Sequence, residues 1–187
     1  MDSFPAIEID KVKAWDFRLA NINTSECLNV AYGVDANYLD GVGVSITSIV
    51  LNNRHINLDF YIIADIYNDA FFQKVAKLAE QYQLRITLYR INTDKLQCLP
   101  CTQVWSRAMY FRLFAFQLLG LTLDRLLYLD ADVVCKGDIS QLLHLDLNGA
   151  VAAVVKDVDP MQEKAASRLS DPELLGQYFN SGVKKMG

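Results

Sequence analysis

Apolar and polar positions along this chain fall into short blocks of two kinds, and the kinds alternate. Cys27–Val34 (CLNVAYGV) is a near-continuous apolar run, the pattern of a strand buried on both faces. Tyr38–Leu51 carries a weaker helical period, loosened by Gly41 and Gly43 and stopped by Asn52-Asn53. Leu58–Ala64 (LDFYIIA) predicts a second strand. Asn68 then offers a cap for a helix over Asp69–Tyr82, where Phe72, Val75, Ala76 and Ala79 share one face. Leu84–Ile91 alternates as a third strand. Ser106 is placed to cap a long helix running through Leu119, with Gly120 where a left-handed C-terminal residue belongs. Leu126–Leu129 predicts a fourth strand, Ile139–Leu145 a short helix and Ala150–Val155 a fifth strand.

Residues 1–26 show no clear period and read as an N-terminal extension, leaving residues 27–187 as one domain. The β-α-β-α rhythm predicts an α/β fold, a mostly parallel sheet covered by helices on both faces.

Composition agrees with that class. The 187 residues are 52% apolar and 21% charged, with a net charge of −4, so no global basic field recruits nucleic acid or anionic lipid. The N-terminus lacks the apolar core of a secretory signal. The richest apolar stretch, Leu113–Leu123, is broken by Gln117 and Thr122 and falls short of the roughly 20 residues of a membrane span. A cytoplasmic address is the default expectation. Cys98-Leu-Pro-Cys101 is a C-x-x-C, but only His55 and His144 are available to complete a zinc site, so reduced thiols in a loop are the expected reading.

The chemistry concentrates at strand ends. Three inferred strands are followed by aspartate: Asp35, Asp65 and Asp130. In open α/β sheets ligands bind beyond the carboxyl ends of the strands, although aspartate also follows strands simply because it favours turns. The run Arg125-Leu-Leu-Tyr-Leu-Asp130-Ala131-Asp132 delivers two carboxylates at i and i+2, which in extended backbone point the same way. Such a pair is repulsive unless a cation neutralises it, and hard oxygen ligands suit Mg²⁺ or Mn²⁺ bridging to substrate phosphates. Arg112, among Phe111, Leu113, Phe114 and Phe116, can neutralise a diphosphate, pair with an aspartate, or extend its stem over an apolar helix.

Several blocks then resemble glycosyltransferase family 8: Val30-Ala-Tyr-Gly-Val-Asp-Ala-Asn-Tyr38, Val44-Ser-Ile-Thr-Ser-Ile49, Ser106-Arg-Ala-Met-Tyr-Phe-Arg112-Leu, Leu127-Tyr-Leu-Asp-Ala-Asp132 and Tyr178-Phe-Asn-Ser-Gly-Val183. They occur in the family's order over about residues 28–183, and the chain looks most like the lipopolysaccharide core branch of enteric bacteria. The resemblance implies a GT-A fold and a retaining transfer of a hexose, glucose, from a UDP-sugar donor to a galactose of the lipopolysaccharide core. It also implies site residues. Gly33, Val34, Asp35, Ala36, Asn37 and Tyr38 would line the uridine pocket, with Asp35 towards the base and Tyr38 stacking on it. Arg112 would contact the donor, Asp130 and Asp132 would bind the metal, Ala131 would lie near the ribose, and Asn180 and Ser181 near the transferred sugar. The acceptor implied is lipid-anchored, which suggests peripheral contact with the inner face of the inner membrane.

After Val183 the family continues with an apolar strand and a long second half, whereas this chain reads Lys184-Lys-Met-Gly187. The expectation is therefore a GT-A domain incomplete at its C-terminus, lacking a later metal-binding histidine and with little or no transferase activity. Two rival readings follow: a non-catalytic UDP-sugar-binding remnant, and a Mg²⁺-dependent haloacid-dehalogenase-type phosphatase, which normally carries its D-x-D on the first core strand.

Overall fold

The computed structural model describes residues 7–18, 27–102, 106–168, 173 and 176–187. Seven strands form one sheet in the order β1-β4-β3-β2-β5-β7-β6. At its centre β4 (Arg85–Ile91), β3 (Asn57–Ala64), β2 (Cys27–Val34) and β5 (Leu126–Leu129) run parallel, and β1 (Ile9–Asp16), β7 (Phe179–Met186) and β6 (Ala152–Lys156) pair antiparallel at the flanks.

The central strands are apolar on both faces because helices cover both. Val30, Tyr32 and Val34 of β2 and Phe60 and Ile62 of β3 pack with α1 (Leu39–Asn52) and α2 (Asp69–Tyr82). Their alternates Ala31, Tyr61 and Ile63, with Tyr128 of β5, pack with Phe111, Phe114 and Leu119 of α3 (Phe111–Leu119). Among the described residues two further α-helices follow, α4 (Gln141–His144) and α5 (Asp159–Arg168). Among the described residues no helix is long and apolar enough to cross a membrane.

Helix α2 has the predicted bounds because its ends are chemically marked. Asn68 Oδ1 accepts from Phe71 N at 2.8 Å, and Gln83 closes the helix in the left-handed region at φ 56°. Three local expectations fail. Ile9–Asp16 is a strand, although its sequence shows no period, because a bulge between Lys11 and Lys13 breaks the alternation along its pairing with β4. Residues 106–119 are not one helix: Arg107–Tyr110 forms a 3-10 turn leading into α3. Gly120 is right-handed at φ −64°, and its lack of a side chain matters because a Cβ there would lie 2.6 Å from the Phe116 carbonyl oxygen. A segment for which the sequence suggested no element, Lys184, Lys185 and Met186, continues β7 between β5 and β6. The two lysines are accommodated: Lys185 Nζ donates to Leu145 O at 3.0 Å, and Lys184 Nζ lies 5.0 Å from the Phe179 ring centroid.

The order of the strands positions the site. From β2 the chain moves outward through β3 and β4, then returns to place β5 on the other side of β2. That reversal opens a crevice at the carboxyl ends of β2 and β5, where open α/β sheets bind ligands.

Candidate active site

Asp35 directly follows β2 and opens the 3-10 turn Ala36–Tyr38. Its Oδ1 accepts from Asn37 N at 3.0 Å and its Oδ2 accepts from Ser106 Oγ at 2.7 Å. Tyr38 projects from the end of that turn, 54% exposed. Beneath them Gly33 lets β2 approach α3 closely, since a Cβ there would lie 2.7 Å from Phe111 Cβ and 3.0 Å from the Tyr128 hydroxyl. Burial pushes the Tyr128 phenol up, so it remains protonated beneath the site.

Asp130 follows β5, and its backbone N–H donates to Gly182 O at 2.8 Å. The chain then turns: Val133 N donates to Asp130 O at 3.2 Å, so Asp130-Ala131-Asp132 lies in a turn and not in extended backbone. The extended D-x-D backbone expected from the sequence is therefore not what the chain adopts. Both carboxylates nonetheless line one cavity, brought there by the turn.

That cavity, about 160 Å³, is lined by Gly33, Val34, Asp35 and Tyr38 from the end of β2 and by Asp130, Ala131 and Asp132 from the end of β5, closed by Ser106, Ala108, Met109 and Arg112. Ala36 and Asn37 stand on the same turn as Tyr38, outside the lining. Asn180 and Ser181 reach its edge through β7: Ser181 O accepts from Arg112 Nη1 at 2.5 Å, and Asn180 Oδ1 accepts from Gly182 N at 2.8 Å. Asp65 lies beside Asp35 in the register of β2 and β3 but outside the cavity. Larger cavities open elsewhere, one of about 750 Å³ beside Asn29 and Arg125 at the opposite end of the strands, away from this cluster of acids.

Arg112 spans the cavity floor. Its Nε donates to Met109 O at 2.9 Å, its Nη2 lies 3.1 and 3.3 Å from the two oxygens of Asp130, and its guanidinium sits 5.4 Å from the Tyr128 ring centroid. Of the roles open to it from sequence, it takes the pairing with an aspartate. Its side chain is only 13% exposed.

The segment that follows the D-x-D turn is held from outside the cavity by α1 and its C-cap residue Asn53. Cys135 N donates to Ser48 Oγ at 2.9 Å, Ile139 N donates to Asn53 Oδ1 at 2.8 Å, and Asn53 Nδ2 donates to Gly137 O at 3.3 Å. Gly41 allows the Ala131 carbonyl to approach, a Cβ there meeting that oxygen at 3.1 Å. Sequence reasoning found none of these supports. Ser106 showed only as a helix cap, and Asn53 only as a helix stop.

The donor set fits Mg²⁺ or Mn²⁺ as part of an oxygen coordination shell. Asp130 and Asp132 present hard oxygens to one cavity, and Asp132 is exposed. Among the described residues no group of three or more His, Cys, Asp or Glu is assembled for a metal, so phosphate oxygens and water would have to supply the rest. Cys98 and Cys101 are exposed thiols, and Cys98 Sγ donates to Lys95 O at 3.4 Å.

Comparison with known proteins gives one consistent result. The family profile described as Glycosyl transferase family 8 matches residues 29–186. The chain is 96% identical over 183 residues to the lipopolysaccharide 1,2-glucosyltransferase of Escherichia coli (strain K12), covering 98% of this chain and 54% of that protein. It is 37% identical over 169 residues to the lipopolysaccharide 1,3-galactosyltransferase of Salmonella typhimurium (strain LT2), covering 89% and 50%. The fold resembles that of the galactosyltransferase LgtC in complex with donor and acceptor sugar analogues, with a TM-score of 0.75 over 85% of this chain and 57% of that one at 21% identity. The chain spans about half the length of the curated relatives it matches.

Proposed function

The chain belongs to glycosyl transferase family 8, and from that premise we propose that its described residues form the UDP-sugar site for transfer of a hexose to the lipopolysaccharide core. The observation that carries the reading is the single cavity at the reversal between β2 and β5, shared by Asp35, Tyr38, Arg112, Asp130 and Asp132. The uracil lies at the Asp35 and Tyr38 end, stacked on the exposed Tyr38 ring. Ala131 lies near the ribose, and the sugar is directed towards Asn180 and Ser181. The diphosphate lies beside the Arg112–Asp130 pair, within reach of the guanidinium, and Asp130 and Asp132 would hold Mg²⁺ or Mn²⁺ against it. When bound, the cation supplies charge neutralisation for the departing diphosphate. Arg112 contributes a fixed guanidinium whose planar fork suits phosphate oxygens, oriented by Met109 O and Ser181 O.

Glucose as the sugar is supported by the 96% identical relative, a lipopolysaccharide 1,2-glucosyltransferase, while a core galactose as acceptor rests on the family resemblance alone. A lipid-anchored acceptor places the protein at the inner face of the inner membrane as a peripheral visitor. Family membership displaces the phosphatase reading, and the D-x-D follows the fourth parallel strand in chain order, not the first.

The test is calorimetry of the chain with UDP, with and without Mn²⁺, beside a transfer assay using UDP-glucose and core oligosaccharide. Mn²⁺-dependent UDP binding that is lost in Asp130→Asn and Asp132→Asn supports the site. Binding without turnover would limit this chain to donor recognition, and UDP binding indifferent to Mn²⁺ and to both substitutions would overturn the reading.

A further inference from the structure

We infer that Ser106 is a positioning residue that orients Asp35 against the pyrimidine and thereby sets the preference for uracil over cytosine; this rests on the nucleotide site proposed above. The two oxygens of Asp35 are held separately, Oδ1 by the Asn37 backbone N–H at 3.0 Å and Oδ2 by the Ser106 hydroxyl at 2.7 Å. The terminal torsion of an aspartate is broad and nearly two-fold, so one bond leaves the carboxylate plane free to swing and two fix it. The Ser106 bond has the short length of a hydroxyl donating to a charged acceptor.

A hydroxyl has one hydrogen to give, and Ser106 gives it to Asp35. Its oxygen also accepts from Ala108 N at 3.4 Å, and its backbone carbonyl accepts from Met109 N at 3.2 Å. Ser106 is thus anchored to the 3-10 turn that carries Met109, whose carbonyl holds Arg112 Nε at 2.9 Å. One chain of contacts, Asp35 to Ser106 to Met109 to Arg112 to Asp130, runs from the base end of the cavity to its phosphate end. Asp35 and Ser106 are 71 positions apart, so this bond ties two separate segments and is no local turn effect.

An ionised carboxylate only accepts hydrogen bonds, and each of its oxygens retains a free lone-pair direction after one bond. Uracil turns an N3–H donor towards such an acceptor, whereas cytosine presents an N3 lone pair at the same place. A carboxylate fixed by two bonds therefore discriminates between the two bases, and one free to rotate does so less. A bound base also excludes water from the Ser106 bond, which is exposed in the open site, and strengthens it.

The test compares affinities for UDP and CDP, both with Mn²⁺, in the chain as it stands and in three variants. Ser106→Ala removes hydroxyl and cap together. Ser106→Asp keeps an oxygen for Ala108 N but offers Asp35 no donor, and Ser106→Thr keeps both. The expected result is a wild-type preference for UDP that falls about tenfold in Ser106→Ala and Ser106→Asp, the scale of one charge-assisted hydrogen bond, and is retained in Ser106→Thr. If Ser106→Ala weakens UDP and CDP equally, or Ser106→Asp keeps the preference, Ser106 is only a cap and the inference is overturned. Should the wild type bind both nucleotides equally, the inference falls while the site stands. Should it bind neither, the nucleotide reading falls with it.

Discussion

Arg112 already occupies Asp130: its Nη2 lies 3.1 and 3.3 Å from the two carboxylate oxygens, and its side chain is 13% exposed against 33% for Asp130. A divalent cation at the D-x-D must therefore share Asp130 with a positive charge that belongs to the fold. Substituting Arg112→Ala should separate two effects that normally travel together. Mn²⁺ alone should bind more tightly, because a competing charge is gone. UDP in the presence of Mn²⁺ should bind about tenfold more weakly, because a charged hydrogen bond worth roughly 1.5–3 kcal/mol is lost. Titrations of free Mn²⁺ followed by paramagnetic resonance, with and without UDP, read both. Weakening of both would show that Arg112 supports the cation.

Two glycines give opposite expectations. A Cβ on Gly182 would lie 2.7 Å from Asp130 Oδ2 and 3.1 Å from Asn180 Oδ1, so Gly182→Ala forces the Asp130 carboxylate to shift where it meets Arg112. Mn²⁺-dependent UDP binding should drop severalfold, with a stability loss of about 1–2 kcal/mol, the scale of a small overpacking. Gly43, inside α1, meets nothing within 4 Å, so Gly43→Ala should stabilise by roughly 0.5–1 kcal/mol through the unfolded chain and leave UDP binding alone. Urea denaturation and calorimetry on both variants check the contrast.

What was legible in the sequence was local. Cys27–Val34 and Leu126–Leu129 stand out because strands covered on both faces lose their polar alternation, and Asp69–Tyr82 because Asn68 marks its start. Asp130 and Asp132 were recognisable as a pair, although a turn and not an extended strand brings them together. Less legible were features set by distant partners. The strand at Ile9–Asp16 owes its shape to a bulge against β4. The strand at Phe179–Met186 is mostly polar and exists through pairing on both edges. Periodicity carries no information about which hydroxyl meets Asp35 from 71 positions away.

Asn53 supports the segment that follows the D-x-D turn from a fully buried position. Its amide donates to Ile49 O at 2.9 Å and to Gly137 O at 3.3 Å, and its Oδ1 accepts from Ile139 N at 2.8 Å. Asn53→Ala leaves those groups without partners, at a cost of about 1–3 kcal/mol for each one that stays dry. A total loss of about 3 kcal/mol is expected, with the Ile139 amide among the first to gain exchange with solvent. Hydrogen exchange localises the effect. Unchanged protection at Ile139 would show that the loop is held without α1.

Asp65 gives a pH dependence whose sign runs against ordinary acid denaturation. Its Oδ1 is buried without a hydrogen-bond partner, and burial, aided by the nearby charge of Asp35, pushes its carboxyl up. A carboxyl raised in the fold holds its proton more tightly there than in the unfolded chain, where it titrates near about pH 3.9. Its contribution to stability is therefore complete below that value and is lost as the pH climbs through the raised pKa. Asp65→Asn, which cannot ionise, should match the wild type below about pH 4 and exceed it at pH 7, the gap opening between. Asp16 makes the opposite control: the Arg18 hydrogen bond holds its carboxyl low, so Asp16→Asn should lose stability at neutral pH and converge on the wild type in acid. Thermal midpoints from pH 3 to pH 7 distinguish the two carboxylates, and a gap for Asp65→Asn that closes towards neutrality would mean its charge is stabilised by its surroundings after all.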